Sequence, residues 1–364
     1  MAGTKDISIM MLGARRVGKS SVLSAMLHSL DGFQSETGVS LRPDKATDAK
    51  MQEKLTDLRQ LYHRHSIGEE FDTQSGYTND EAYSLPTDAL TTYSYSLLVS
   101  GEKESVCDIR FTDIRGEDII YAADDIQKRI QTSSVIIIAI DSVALMEESS
   151  SGKNWHDEVN NPNQITKLLK DAYSTTQKEI PQLVLLVPLK CEKYYWQAGG
   201  MEQLNECIKE KYKGLLMFLQ NFDCFSVAIT PILTLGDIVF SRFDENAEGV
   251  YSPLYTMRDL DEKGNMCDPT FSPRFCEQPL CYLIKYILSL PDFAKKKKKK
   301  GFLEWVELAI TGYFFGILGI AIALLSSKSK NTKRDLKRLS ASVKLTGDGY
   351  EVLVDKLGIA KKES

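Results

Sequence analysis

The sequence predicts an α/β domain: a doubly wound, mostly parallel sheet with an antiparallel edge strand supplied by a hairpin. Three observations predict it. Residues 135–140, 183–187 and 225–229 are short apolar runs bounded by polar segments, as strands buried on both faces should be. Stretches of helical periodicity fall between them. Residues 92–100 and 105–112 are β-prone and flank Gly101-Glu102-Lys103, the pattern of a β-hairpin.

Along the chain, the apolar run 7–12 opens the first strand and 20–27 continues as a helix. Further helices are expected at 119–131, 163–176, 200–221 and, after Pro279, at 280–288. Two stretches interrupt this plan. Residues 32–90 hold a charged helix near 45–65 followed by a polar loop, and 241–274 are rich in Asp, Asn, Gly, Pro and Tyr. Insertions this long inside a domain are more often functional or mobile than structural. His63 and His65 flank Arg64 in a polar context and read as surface residues. The domain is expected to span 5–290, with insertions 32–90 and 241–274.

At 364 residues, 43% hydrophobic and 26% charged, the chain has the composition of a globular protein. A net charge of −5 argues against wholesale nucleic-acid binding. The seven cysteines are odd in number and scattered, the pattern of reduced thiols rather than a disulfide framework. Cys267, Cys276 and Cys281 cluster, but they lack a Cys-x2-Cys pair and a neighbouring histidine. Residues 1–6 lead straight into a strand and do not resemble a secretory signal.

The far end of the chain differs. Residues 308–325 carry no charge over eighteen positions, the short end of what a bilayer core requires. A transmembrane helix is expected over 303–326, preceded by a polybasic linker 291–302 and followed by a basic tail 327–364. Lys295–Lys300 would contact anionic lipid, and Gly312, Gly316 and Gly319 match the small-residue spacing of packed membrane helices. Both flanks are basic, so charge does not decide orientation; with no export signal at residues 1–6 the N-terminal domain is expected to be cytoplasmic, with a single pass. A buried or in-plane helix is the alternative.

Residues 13–20 read Gly-Ala-Arg-Arg-Val-Gly-Lys-Ser, a full match to Gly-x4-Gly-Lys-Ser between a strand and a helix. Backbone N–H groups from Gly13 through Arg16, Val17 and Gly18 would curl around phosphates. The helix start at Ser20 and Ser21 adds partial positive charge. Lys19 reaches the β and γ phosphates, and Ser20 offers a hydroxyl to Mg²⁺. The pattern implies binding of a nucleoside triphosphate. A second phosphate motif, Asp113-Ile114-Arg115-Gly116-Glu117, follows the second hairpin strand. Asp113 would hold Mg²⁺ through a water, and the Gly116 N–H would meet the γ-phosphate.

With these motifs in this order, residues 5–290 resemble a TRAFAC-class GTPase domain, most like the bacterial double-GTPase families linked to conflict and defence systems. Softer support comes from 187–192 and 229–236. The resemblance implies a guanine nucleotide, Mg²⁺, and a protein effector or activator. Where such GTPases read the base with Asn-Lys-x-Asp, this chain has Leu189-Lys190-Cys191-Glu192. Lys190 would stack on the base and Glu192 would accept the two guanine N–H groups; were they only loop charges, ATP would be open. The water-orienting Gln is replaced by Glu117, so hydrolysis should be slow. Arg115 could act on the phosphates or, preferred, pair with Glu117 or Asp118. Thr87, Thr91 and Thr92 all precede the hairpin at plausible distances for the Mg²⁺-binding threonine, and Thr91 has the Ras-like separation from Asp113. The expected function is a membrane-anchored GTPase switch, with a non-hydrolysing nucleotide-binding scaffold as the alternative.

Overall fold

The computed structural model describes residues 5–13, 17–37, 39–64, 68–72, 91–99, 105–114, 123–149, 152, 154–174, 181–245, 251–259, 266, 271–290 and 351–356. The first half contains β1 (Lys5–Leu12), α1 (Lys19–Thr37), β2 (Val39–Pro43), α2 (Lys45–Arg64), β3 (Glu70–Asp72), β4 (Thr91–Val99) and β5 (Cys107–Asp113). Next come α3 (Ala123–Thr132), β6 (Val135–Asp141), α4 (Ser142–Met146), α5 (His156–Asn160), α6 (Pro162–Ser174) and β7 (Gln182–Leu189). The remainder is α7 (Glu192–Tyr195), α8 (Gly200–Lys211), α9 (Lys213–Gln220), β8 (Phe225–Ile229), β9 (Ile238–Glu245), β10 (Tyr251–Met257), α10 (Gln278–Ser289) and β11 (Glu351–Val354).

The main sheet has eight strands in the order β11-β8-β7-β6-β1-β5-β4-β2. The five central strands run parallel. β6, β7 and β8 are buried along their whole length, which is why their sequences are apolar except at Asp141, Gln182 and Ser226. Along β1 the side chains alternate between two cores. Ile7, Ile9 and Met11 pack with α1 and α10 through Val22, Leu23, Leu280 and Ile284. Met10 and Leu12 pack on the opposite face with Ile126, Ile165, Leu204 and Leu215 from α3, α6, α8 and α9. The result is helix, sheet, helix in three layers, the doubly wound plan expected.

Several features differ from the sequence expectation. β4 is antiparallel to β5, but it is not the edge: β2, from within the first insertion, pairs beyond it. The helical stretch 200–221 is two helices, because Tyr212 leaves helical geometry at φ −98°, ψ 14°. The two insertions meet in a second sheet, β3-β10-β9, packed through Tyr255, Phe240 and Met257 on Tyr62 of α2. Glu351–Val354, in the stretch expected as a tail, forms β11 on β8. Cys107, Cys191, Cys276 and Cys281 are buried and outside any disulfide, and among the described residues no three or more His, Cys, Asp or Glu side chains gather as a metal-ligand cluster. Among the described residues no helix is long and apolar enough to cross a membrane. The span 303–326, the polybasic linker 291–302, the hairpin turn 101–104, Thr87, His65 and Cys267 lie outside the described residues.

Candidate functional site

The site lies at the C-terminal ends of the parallel strands β1, β5, β6 and β7, where open α/β sheets place their ligands. β1 ends at Leu12, and the chain turns sharply at Gly13 with φ +146°. A Cβ there would stand 3.0 Å from the Ala139 carbonyl oxygen of β6, so only glycine lets the loop lie this close to the sheet. Gly18 re-enters at φ +107°, and its carbonyl accepts the first helical hydrogen bond of α1 from Val22 N–H at 3.1 Å. Lys19 is buried, and its Nζ donates to the Gly13 carbonyl at 2.8 Å. The ammonium is thereby folded over the loop it is expected to serve.

Ser20 and Asp113 are far apart in sequence but belong to neighbouring units, because β1 and β5 are hydrogen-bonded with Met11 opposite Asp113. Ser20 Oγ donates to Asp113 Oδ2 at 2.6 Å. The other oxygen, Oδ1, is buried without a protein hydrogen-bond partner. A carboxylate oxygen left so is costly, and a divalent cation held by Asp113 and the Ser20 hydroxyl would satisfy it. The donor set, a carboxylate and a hydroxyl, is the hard-oxygen chemistry Mg²⁺ prefers. Thr91 starts β4 directly opposite Asp113 in the ladder, on the side of this pair.

Sequence reading missed Tyr93. It is buried two residues on from Thr91, with its hydroxyl in hydrogen-bond contact with Ser20. Burial, then the Asp113 charge, pushes that hydroxyl well above the ordinary tyrosine range. The period-2 alternation of β4 was the signal that could have found it, since Tyr93 faces the same way as Thr91.

The second half of the site sits where β6 and β7 end together, with Asp141 opposite Leu189. Leu189 reaches toward the phosphate loop: a Cβ on Gly18 would be 3.4 Å from its Cδ1. Lys190 follows with φ +56°, a left-handed conformation uncommon for a side chain of this length. Its Nζ makes a buried ion pair with Asp141 Oδ2 at 2.7 Å. Asp141 Oδ1 caps α4 by accepting from Val143 N–H and Ala144 N–H at 3.0 and 3.1 Å. Asn160 grips the Asp141 backbone at both ends, accepting its N–H at 2.7 Å and donating to its carbonyl at 3.0 Å. Neither Asp141 nor Asn160 was singled out by sequence, because nothing local marks a strand-end Asp as a partner of a lysine 49 residues away.

Glu192 is 1% exposed and accepts Leu235 N–H at 2.7 Å. The 230–236 segment is drawn there by Ile232 N–H donating to the Pro188 carbonyl at 3.1 Å. Burial pushes the Glu192 carboxyl up to about 8 despite that hydrogen bond and the nearby Lys190 charge. Tyr62, reaching in from the insertion helix α2, has its hydroxyl raised by burial and then by the Glu192 and Asp237 charges. The expected site residues therefore form two groups: Gly13, Val17, Gly18, Lys19, Ser20, Ser21, Asp113 and Thr91 in one, Lys190 and Glu192 in the other, bridged by Leu189. Arg16, Arg115, Gly116 and Glu117 lie outside the described residues. An open cavity of about 670 Å³ lies elsewhere, over the small sheet beside Glu70, Val239 and Arg258, and contains none of these residues.

No protein-family profile and no curated protein sequence matches the chain. Among solved structures, similarity was found to the GTPase-like domain of S. cerevisiae Ski7. The structure bound to GDP and inorganic phosphate is 14% identical at TM-score 0.39, with 82% of this chain and 51% of that chain covered. The GTP-bound structure is 14% identical at TM-score 0.35, covering 68% and 46%. A GDP-bound Roco2 fragment from Methanosarcina barkeri is 13% identical at TM-score 0.25, covering 65% and 46%. The chain thus spans about half the length of the structures it matches.

Proposed function

We propose that this protein is a Mg²⁺-dependent GTP-binding switch that hydrolyses GTP slowly and works at a membrane surface. The observation that carries the nucleotide reading is the Ser20–Asp113 hydrogen bond, with the free buried Asp113 Oδ1 beside a glycine loop and Lys19. In this reading the loop N–H groups and Lys19 bind the β and γ phosphates, Lys19 exchanging the Gly13 carbonyl for phosphate oxygens. Ser20, Asp113 and Thr91 would hold Mg²⁺, which supplies charge neutralisation at the phosphates. Tyr93 orients the Ser20 hydroxyl. Lys190, fixed by Asp141, lays its stem along the base, and Glu192 accepts the guanine N–H groups. Without a glutamine after Gly116, turnover depends on Glu117, on Arg115, or on a residue from an activating protein. The membrane part of the proposal rests on the uncharged run 308–325 and the basic run Lys295–Lys300. A place in a bacterial conflict or defence system rests on the sequence resemblance alone.

One observation favours a second reading. A Glu192 oxygen is already committed to Leu235 N–H, which leaves less of the carboxylate for a base and opens the site to ATP. Competition titrations with Glu192→Gln separate the two. Removing one acceptor leaves a guanine N–H facing another donor, costing about 1–3 kcal/mol, so GTP and GDP should weaken roughly tenfold to a hundredfold while ATP is unchanged. Equal loss for both bases, or none, would sink the guanine reading.

The raised Glu192 carboxyl adds a pH dependence. The native free protein holds a proton on Glu192 up to about 8, against an ordinary value near 4.5. This contribution to stability is therefore present below about 4.5 and is lost as pH rises through about 8. Guanine pairing needs the ionised form, so GTP affinity should climb across the same window by up to about tenfold per pH unit and level off above it. Calorimetric titrations at pH 6, 7 and 9 would reveal this; a flat profile in the parent, or the same slope in Glu192→Gln, would exclude Glu192 as the titrating group.

A further inference from the structure

We infer that the segment 154–160 positions the base-reading residues 190–194 by clamping α4 at both of its ends, so that Asn160 and Asn154 set affinity for the nucleoside by acting through α4. The inference rests on the nucleotide reading above and extends it to residues one layer behind the site.

α4 is five residues long, too short to hold its own geometry. One side of it is tied to the base-reading stretch. At its start, Asp141 Oδ2 takes the Lys190 ammonium at 2.7 Å. At its end, Glu147 Oε1 accepts from Lys193 Nζ at 2.7 Å and from Tyr194 Oη at 2.9 Å. The lie of α4 therefore decides where residues 190–194 stand.

The other side of α4 is held by 154–160. Asn160 is 1% exposed, and its amide closes two hydrogen bonds onto the Asp141 backbone. Because that N–H can only donate and that carbonyl can only accept, the amide has a single possible orientation. Its second Nδ2 hydrogen is left for His156 Nδ1 at 3.1 Å, which must accept it. Burial holds the His156 ring below the ordinary histidine range, so the ring is neutral and the acceptor is present. At the far end of α4, Asn154 Nδ2 donates to the Leu145 and Glu147 carbonyls, both at 3.3 Å. Asn154 Oδ1 accepts His156 N–H at 2.9 Å, which joins the two asparagines through one residue. Each asparagine thus satisfies backbone groups at an end of α4 that so short a helix leaves open. Asn160 and Asn154 are positioning residues: they fix Asp141 and Glu147, and these fix the lysines and Tyr194.

The test is competition against a fluorescent GTP analogue by GTP, ATP and inorganic tripolyphosphate, in the full chain. Lys190 serves either base by stacking, so Asn160→Ala should weaken GTP and ATP about tenfold and leave tripolyphosphate unchanged. Lys190→Met cuts the tie to Asp141 while keeping an apolar stem, and in that background Asn160→Ala should cost no further affinity. Asn154 is only half-buried, so Asn154→Ala covers the case in which Asn160→Ala does not fold. It should weaken GTP about threefold and also spare tripolyphosphate. A role in stability alone would lower tripolyphosphate together with GTP, or add its loss to that of Lys190→Met, and either result overturns the inference. Unchanged GTP affinity in folded Asn160→Ala or Asn154→Ala overturns it too. A parent that binds neither GTP nor tripolyphosphate sinks the nucleotide reading and this inference with it. A parent that binds both, with equal losses in the variants, sinks the inference alone.

Discussion

Replacing Asp141 with alanine is expected to destabilise the protein by about 3–5 kcal/mol, the cost of leaving a buried charge without its partner. Lys190 and Asp141 are almost wholly buried, with side-chain exposures of 9% and 6%. Removing the carboxylate strands the Lys190 ammonium in a largely buried site, and also uncaps α4, whose Val143 and Ala144 N–H groups bond Asp141 Oδ1. Asp141→Asn keeps a capping oxygen and most of the shape, so it should avoid the part of the loss that comes from the cap while still losing the ion pair. Urea unfolding of parent and variants measures both. A loss under about 1 kcal/mol for the alanine variant would mean that Lys190 finds another partner and that the pair does not hold the β6 and β7 ends together.

Lys19→Ala should lower triphosphate affinity by at least about 3 kcal/mol, on the order of a hundredfold or more. In the free protein the ammonium donates to the Gly13 carbonyl, a weaker partner than the charged oxygens of a triphosphate. Nearly all of the effect should therefore appear in binding. Lys19→Arg should not restore it, because a planar guanidinium does not replace a compact point charge inside a closed loop. Titration with a fluorescent GTP analogue, alongside thermal unfolding without nucleotide, makes the comparison. Unchanged affinity in Lys19→Ala would remove the phosphate assignment.

The features legible in the sequence were those written locally. An apolar residue at every position of 135–140 means burial on both faces, and the structure places those residues inside β6 with helices above and below. Gly13, Gly18, Lys19 and Ser20 could be read as a loop because their spacing encodes backbone freedom, a cation and a hydroxyl within eight positions. The charged helix at 45–65 was equally plain from periodicity, and it is α2.

What only the tertiary structure decided involves partners brought together from far along the chain. β2 and β11 are five and four residues long, too short for alternation to stand out, and each becomes a strand because an edge of the sheet offers its unpaired backbone. The partnership of Asp141 with Lys190 follows from two parallel strands ending side by side, a consequence of sheet order and not of either sequence segment. Tyr93 is an ordinary strand residue until β4 pairs with β5 and sets its hydroxyl beside Ser20. Glu192 illustrates the difference most directly. The sequence by itself determined that a carboxylate follows Lys190 by two positions. Packing of 230–236 and the insertion helix α2 decided that it is buried, bonded to Leu235 N–H and held toward its neutral form, because desolvation is a property of everything that surrounds a charge.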